Sequence, residues 1–187
     1  MNYELPTVVV GIDAGHENRD ECDLFALHLA DSLAGVVMVS VNQIREPEVH
    51  YAVALAFSLQ PSAESLAGIV GDIAVITCDE YLHGDHTGAR TAALALWLRA
   101  KGRVIRFPGQ ENLDGLTPVE EITTLSAISH VACVGGAILP SMRLRSTGQL
   151  QPAFQAGHLT LLVEWFDENT VVPVTQPLSS YSLTLSA

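Results

Sequence analysis

The sequence predicts an α/β protein, a doubly wound parallel sheet of five to six strands with helices on both faces. The apolar, β-branched runs 7–13 and 36–42 are almost free of polar residues, which is typical of parallel strands covered on both faces. Segments with helical spacing separate these runs and four later ones, and such alternation favours right-handed βαβ units. A chain of 187 residues suits one domain, with 166–187 as a C-terminal extension.

The first predicted unit spans residues 7–42. After the strand 7–13, acidic and capping residues precede Cys22, Phe25 and Leu29, whose spacings of three and four predict a helix ending near residue 33. A short turn then leads to the strand 36–42. The unit therefore predicts two parallel strands joined by a crossover helix.

The rest of the chain continues the alternation. An Ala- and Leu-rich stretch predicts a helix from residue 49 that Pro61 breaks, and Thr117 followed by Pro118 has the N-cap and first-turn pattern of a helix start. The segment 141–148 is expected to be flexible and mildly basic. The further predicted strands are 73–78, 104–107, 131–134 and 159–165, and the further predicted helices are 63–69, 87–100, 117–129 and 150–156.

Composition excludes several function classes. Nine Lys and Arg against 21 Asp and Glu give a net charge of −12, so nucleic acid is not an expected partner. The longest apolar stretch, 51–70, is interrupted by polar residues and a proline, which excludes a membrane helix. Three widely spaced cysteines and the lack of a secretory signal pattern predict reduced thiols in a cytoplasmic protein.

Residues 8–15, together with the strand 36–41, resemble the opening unit of the universal stress protein family. The resemblance implies that Asp13 reaches the adenine side of a bound ATP, that the amide of Ala14 lines the pocket, and that Val41 packs on the base. It also implies a cytoplasmic binding domain for ATP or another adenine nucleotide that acts by ligand or protein binding more than by catalysis, and a homodimer through 159–165.

The family's phosphate loop is matched in part. Gly135 and Gly148 have the separation of its first and third glycines, whereas Ile138 takes the place of the second. Backbone amides approach phosphate most closely where no Cβ intervenes. The resemblance therefore implies a degenerate ATP site, in a chain with one strand–helix unit more than the family has.

A second hypothesis places chemistry in the loop 79–86, the densest polar cluster of the sequence. His83, Asp85 and His86, with Asp13 and His16 at the end of the first strand, are residue types that bind a divalent metal or exchange protons. They predict a metal- or acid/base-dependent hydrolase or transferase. The structural alternative is a solvated loop that caps the next helix. Further polar candidates are Asp79 and Glu80 in that loop, and Arg90, Arg143 and Arg145 for phosphate contact.

Overall fold

The computed structural model describes residues 6, 8–67, 72–77 and 87–174. Within them the chain forms an eleven-stranded sheet in the order β4-β1-β3-β2-β5-β9-β10-β11-β8-β6, and β7 pairs with β10. The strands are β1 Val8–His16, β2 Val36–Ile44, β3 His50–Phe57, β4 Asp72–Thr77, β5 Arg103–Arg106, β6 Asp114–Pro118, β7 His130–Val134, β8 Arg143–Thr147, β9 Ala153–Gln155, β10 His158–Trp165 and β11 Thr170–Pro173. The α-helices are α1 Arg19–Ser32, α2 Ala63–Ala67, α3 Thr87–Trp97 and α4 Ile122–Leu125, with 3-10 turns at Gln110–Leu113 and Val119–Glu121.

The prediction of a doubly wound parallel sheet is wrong, because the sheet is mostly antiparallel. In the described part of the chain, only β7 with β10 and β8 with β11 pair in parallel. Strands β1 and β2 do run in the same direction on either side of α1. However, β3 lies between them and pairs antiparallel with both. The sheet is therefore not of the Rossmann-like type that the stress-protein resemblance implied.

Strand β3 is the main cause of this error. Its sequence of alanines and leucine suits a helix, but the side chains alternate between two buried faces. Its small residues pack with α3, and its large residues pack with α1. Because both faces are apolar, β3 lacks the alternation of polar and apolar residues that would indicate a strand in its sequence. The small set is Ala52, Ala54 and Ala56, and the large set is Val53, Leu55 and Phe57.

Helices α1 and α3 cover opposite faces of the N-terminal half of the sheet. Val8, Val10 and Ile12 belong to the core on the α1 side. Val9 belongs to the core on the α3 side, and a Cβ placed on Gly11 would lie 1.9 Å from the carbonyl oxygen of Ala89 in α3. The missing side chain at Gly11 therefore sets how closely α3 approaches β1.

The C-terminal half also departs from the sequence prediction. Thr117 and Pro118 end strand β6 rather than begin a helix, and Thr117 is buried where β6 pairs with β8. The helix predicted at 150–156 is β9, and the segment predicted to be flexible is β8. Part of the expected extension, Thr170–Pro173, lies inside the sheet between β10 and β8. At β6 and β9, tertiary pairing overrides local helix signals.

No helix among the described residues combines the length and the apolar content that a membrane span needs.

Candidate ligand-binding cavity

A cavity of about 980 Å³ lies between the start of α1 and the strands β2, β5, β9 and β10. Strand register shows which side of the sheet it occupies. Val41 pairs with Arg103, Arg103 with Ala153, and Ala153 with Thr160, so these four side chains share one face. Val41 is part of the core on the α1 side. The cavity therefore lies beside α1, where the sheet continues past the helix toward β9 and β10.

Three apolar side chains form part of the cavity floor. Val41, Ala153 and Leu162 are 4%, 6% and 6% exposed, and all three line the cavity. Thr160 adds one hydroxyl, which donates to the carbonyl oxygen of His158 at 3.5 Å. Because Val41, Ala153 and Leu162 are almost fully buried, they leave little apolar surface open to a ligand.

Basic side chains gather at this cavity although the chain is acidic. Arg19, Arg45, Lys101 and Arg103 line it, against two acidic lining residues, and they are four of the nine basic residues of the chain. Arg45 and Lys101 are exposed and form no ion pair with a described residue. The lining thus carries positive charge available to an incoming anion.

Arg103 is the most deeply held of these cations. Its Nη2 donates to Oδ1 of Asp23 on α1, and the two side chains are 18% and 17% exposed. Its Nη1 is buried and has no hydrogen-bond partner among the described residues. An unpartnered buried guanidinium N–H is costly. Asp23 keeps the guanidinium in place through Nη2.

The first turn of α1 forms another part of the wall. Asn18 caps the helix through its side-chain oxygen, which accepts from the amides of Asp20 at 2.8 Å and Glu21 at 3.3 Å. The N-terminal end of a helix carries partial positive charge. This partial positive charge adds to the positive charge of the basic side chains at the cavity.

The residues predicted to bind a nucleotide are not brought together. Asp13, Val41 and Gly148 line three different cavities. Asp13 faces α3, because a Cβ on Gly88 of that helix would lie 1.7 Å from Oδ2 of Asp13, whereas Val41 faces the α1 side.

The two glycines predicted to hold phosphate lie farther along the sheet. Six strands separate β1, which carries Asp13 and Ala14, from β8, which precedes Gly148. Gly135 follows β7 and Gly148 follows β8, with left-handed φ of 86° and 79°. Five residues of the expected phosphate loop, Arg143–Thr147, form strand β8, so the loop does not present its backbone amides as one cradle. Nucleotide binding by the predicted loop has no support in this geometry.

Asp13 instead pairs with His50, which the sequence analysis did not single out. Nε2 of His50 lies 2.9 Å from Oδ2 of Asp13, and the side chains are 15% and 12% exposed. Nδ1 of His50 lies 2.8 Å from the carbonyl oxygen of Glu48, and Oδ1 of Asp13 accepts from the amide of Gly15 at 3.0 Å. Both ring nitrogens thus face acceptors, which favours the imidazolium form.

This arrangement makes stability depend on pH. Burial lowers the pKa of His50, but the Glu48 carbonyl and the Asp13 carboxylate outweigh it and raise the pKa above its ordinary value of 6.5. The folded state then holds the proton more tightly than the unfolded state does. The resulting stabilisation is complete below about pH 6.5 and is lost as pH rises through the raised pKa.

We expect His50→Gln to lower the free energy of unfolding most below pH 6.5, because the variant lacks the imidazolium that Asp13 stabilises. The deficit should shrink as pH rises through the pKa of folded His50. Urea unfolding of wild type and variant between pH 5 and pH 9 measures it. His28→Gln, an exposed change on α1, should leave the pH profile unchanged. A deficit of His50→Gln that is equal at every pH would contradict the ion pair.

The other predicted residues have separate surroundings. His16 packs against Phe25 with ring centroids 4.8 Å apart, and its buried Nε2 has no hydrogen-bond partner in the described part of the chain. Arg90 and Arg143 are exposed, and Arg145 lies 5.3 Å from the ring centroid of Phe166. Among the described residues, no group of three or more His, Cys, Asp or Glu could hold a metal ion. His83, Asp85 and His86, with Asp79 and Glu80, lie outside the described residues.

Burial also governs the described cysteines. Burial is the main cause that raises the pKa of Cys22, to about 12, and it also raises the pKa of Cys133. A thiol with a raised pKa stays protonated and is a poor nucleophile.

The basic cavity was missed by the sequence analysis, although one signal was present. Four of the nine basic residues fall between positions 99 and 106. Only Lys101 and Arg103 of this group line the cavity, together with Arg19 and Arg45. That combination depends on the pairing of β5 with β2 and β9, which the sequence does not show.

Comparison with protein-family models, with curated proteins and with solved structures gave no match for this chain.

Proposed function

We propose that this chain binds a small anionic organic molecule in the cavity beside α1. The observation that carries the proposal is the gathering of four of the chain's nine basic side chains at one cavity of ligand size, about 980 Å³. Asp23 accepts a hydrogen bond from Nη2 of Arg103 and holds that guanidinium in place. Arg45 and Lys101 add positive charge at the same cavity.

The charge distribution supports an anion over a neutral ligand. In a chain with a net charge of −12, anions are repelled by most of the surface. The cavity gathers four basic side chains, which attract an anion locally over roughly the 10 Å Debye length at 0.1 M salt. The volume of about 980 Å³ exceeds what an inorganic ion fills, so the proposal is an organic anion.

We expect citrate or another small organic anion to raise the unfolding temperature of wild-type protein at constant ionic strength. In Arg45→Glu/Lys101→Glu, the affinity should fall at least about tenfold, because hydrogen bonds and contacts to charged groups contribute roughly 1.5–3 kcal/mol each. Isothermal titration calorimetry with citrate and with inorganic phosphate measures the affinity.

Arg90→Glu/Arg143→Glu is the matched control. It changes the net charge equally at exposed positions that do not line the cavity. An equal loss in both double variants would mean that overall charge, not the cavity, binds the anion. If none of the anions binds wild type beyond a sodium chloride control, the proposed function is rejected.

The homodimer and the cytoplasmic location stay predictions. β10, which was expected to form the dimer contact, pairs with β7 along one edge and with β9 and β11 along the other. A second copy would therefore have to use a surface other than the edges of this strand.

A further inference from the structure

Two exposed histidines meet on one face of the sheet, and neither of them lines the cavity beside α1. Thr160 of β10 pairs with His130 of the parallel strand β7, and His158 lies two residues before Thr160. Side chains two positions apart on a strand point to the same face, so both imidazoles lie on one face. Their ring centroids are 4.3 Å apart, and the ring planes are inclined by 60°. Because both residues are exposed, dissolved ions can approach the pair.

The main chain sets the positions of both histidines. His158 directly follows the two-residue turn Ala156–Gly157, whose φ angles of 49° and 87° are both positive, as in the tight turns of antiparallel hairpins. His130 follows Ser129, whose amide donates to the carbonyl oxygen of Leu159 at 2.9 Å. The hydroxyl of Ser129 donates to the same oxygen at 3.3 Å. The two rings are therefore brought together by the fold itself. No described residue forms an ion pair with either ring.

The distance between the rings matches two imidazoles that bind one metal ion. A metal–nitrogen bond of about 2.0 Å places the centre of each ring about 3.1 Å from the ion. Two rings at a right angle around the ion then have centres roughly 4.4 Å apart, against roughly 5.1 Å around a tetrahedral ion. The observed 4.3 Å fits the right angle, which is the arrangement of copper(II) and nickel(II) in square-planar or tetragonal sites.

We propose that His130 and His158 together bind one divalent copper or nickel ion, each through one ring nitrogen, with water in the remaining positions. This site is independent of the anion cavity. The net charge of −12 attracts a cation to the chain. In the described part of the chain, β7 pairs with β10 alone, so the ion ties this strand to the sheet at a second point. Binding should therefore raise the unfolding temperature.

The test is a calorimetric titration of the untagged chain at neutral pH with copper(II), nickel(II) and magnesium chloride. Copper should bind more tightly than nickel, as in the usual order for divalent ions, and magnesium should not bind, because it prefers oxygen ligands. In His130→Gln and in His158→Gln, copper affinity should fall at least about tenfold, because loss of even an outer partner of a metal ligand costs about 10–100-fold. Electron paramagnetic resonance of the copper complex should show two coordinated nitrogens in wild type and one in each variant.

Two controls assign the ion to this pair. His28→Gln, an exposed change on α1, should leave copper binding unchanged. The same comparison in a His83→Gln/His86→Gln background removes the other close pair of histidines in the sequence, and copper binding should persist there until His130 or His158 is replaced. Circular dichroism of the metal-free variants establishes that they are folded. If the double variant alone abolishes copper binding, or if no ion binds wild type, the two rings only stack on each other and the proposal is overturned.

Discussion

Gly11→Ala is expected to lower the free energy of unfolding by about 3 kcal/mol, at or above the upper end of the usual range for an overpacked core. The added Cβ would lie 1.9 Å from the carbonyl oxygen of Ala89 and 2.9 Å from the Cβ of Ala93. Both contacts belong to α3, and the closest is with its backbone. Relief therefore requires the helix to move away from β1.

Gly136→Ala is the matched control for this substitution. The new Cβ would meet the indole of Trp165 at 3.2 Å, and Trp165 is 47% exposed and can turn aside. Neither glycine has a positive φ, so steric contact alone separates the two variants. Chemical denaturation measures both. Equal, small effects would show that α3 does not pack on β1 as closely as the structure has it.

Leu55→Ala is expected to cost about 2–5 kcal/mol, the range for removing a buried leucine side chain. Leu55 is 0% exposed and lies in β3 among the residues that pack with α1. The truncation leaves a cavity between the central strand of the N-terminal half and the helix. Equilibrium unfolding in urea gives the value.

Leu59→Ala provides a discriminating comparison. Leu59 lies two residues beyond the end of β3 and is 75% exposed, so its truncation should change stability by no more than about 0.5 kcal/mol. In a helix, residues 55 and 59 would lie on one face, and their truncations would have similar effects. Similar costs would support the helix that the sequence predicted and contradict strand β3.

The ends of the predicted strands were not enough to locate the candidate site. Asp13 lies within β1, three residues before its end. Its carboxylate is held by His50 from β3, a strand that the sequence assigned to a helix. Arg103, at the start of β5, is one of the four basic residues that line the cavity. Its partner Asp23 is 80 positions away in the sequence, and local patterns carry no information about such a pair.

What the sequence determined by itself is the set of elements with strong local signals. Strands near residues 8, 36, 72, 103, 130 and 158, and helices α1 and α3, all lie where hydrophobic runs, periodicity and caps predicted them. What only the tertiary structure decided is the direction and neighbours of the strands, the identity of β3, β6 and β9 as strands, and the cavity. A strand buried on both faces has the same apolar composition whether its neighbours are parallel or antiparallel, because burial depends on what covers its faces and not on the direction of the strand beside it.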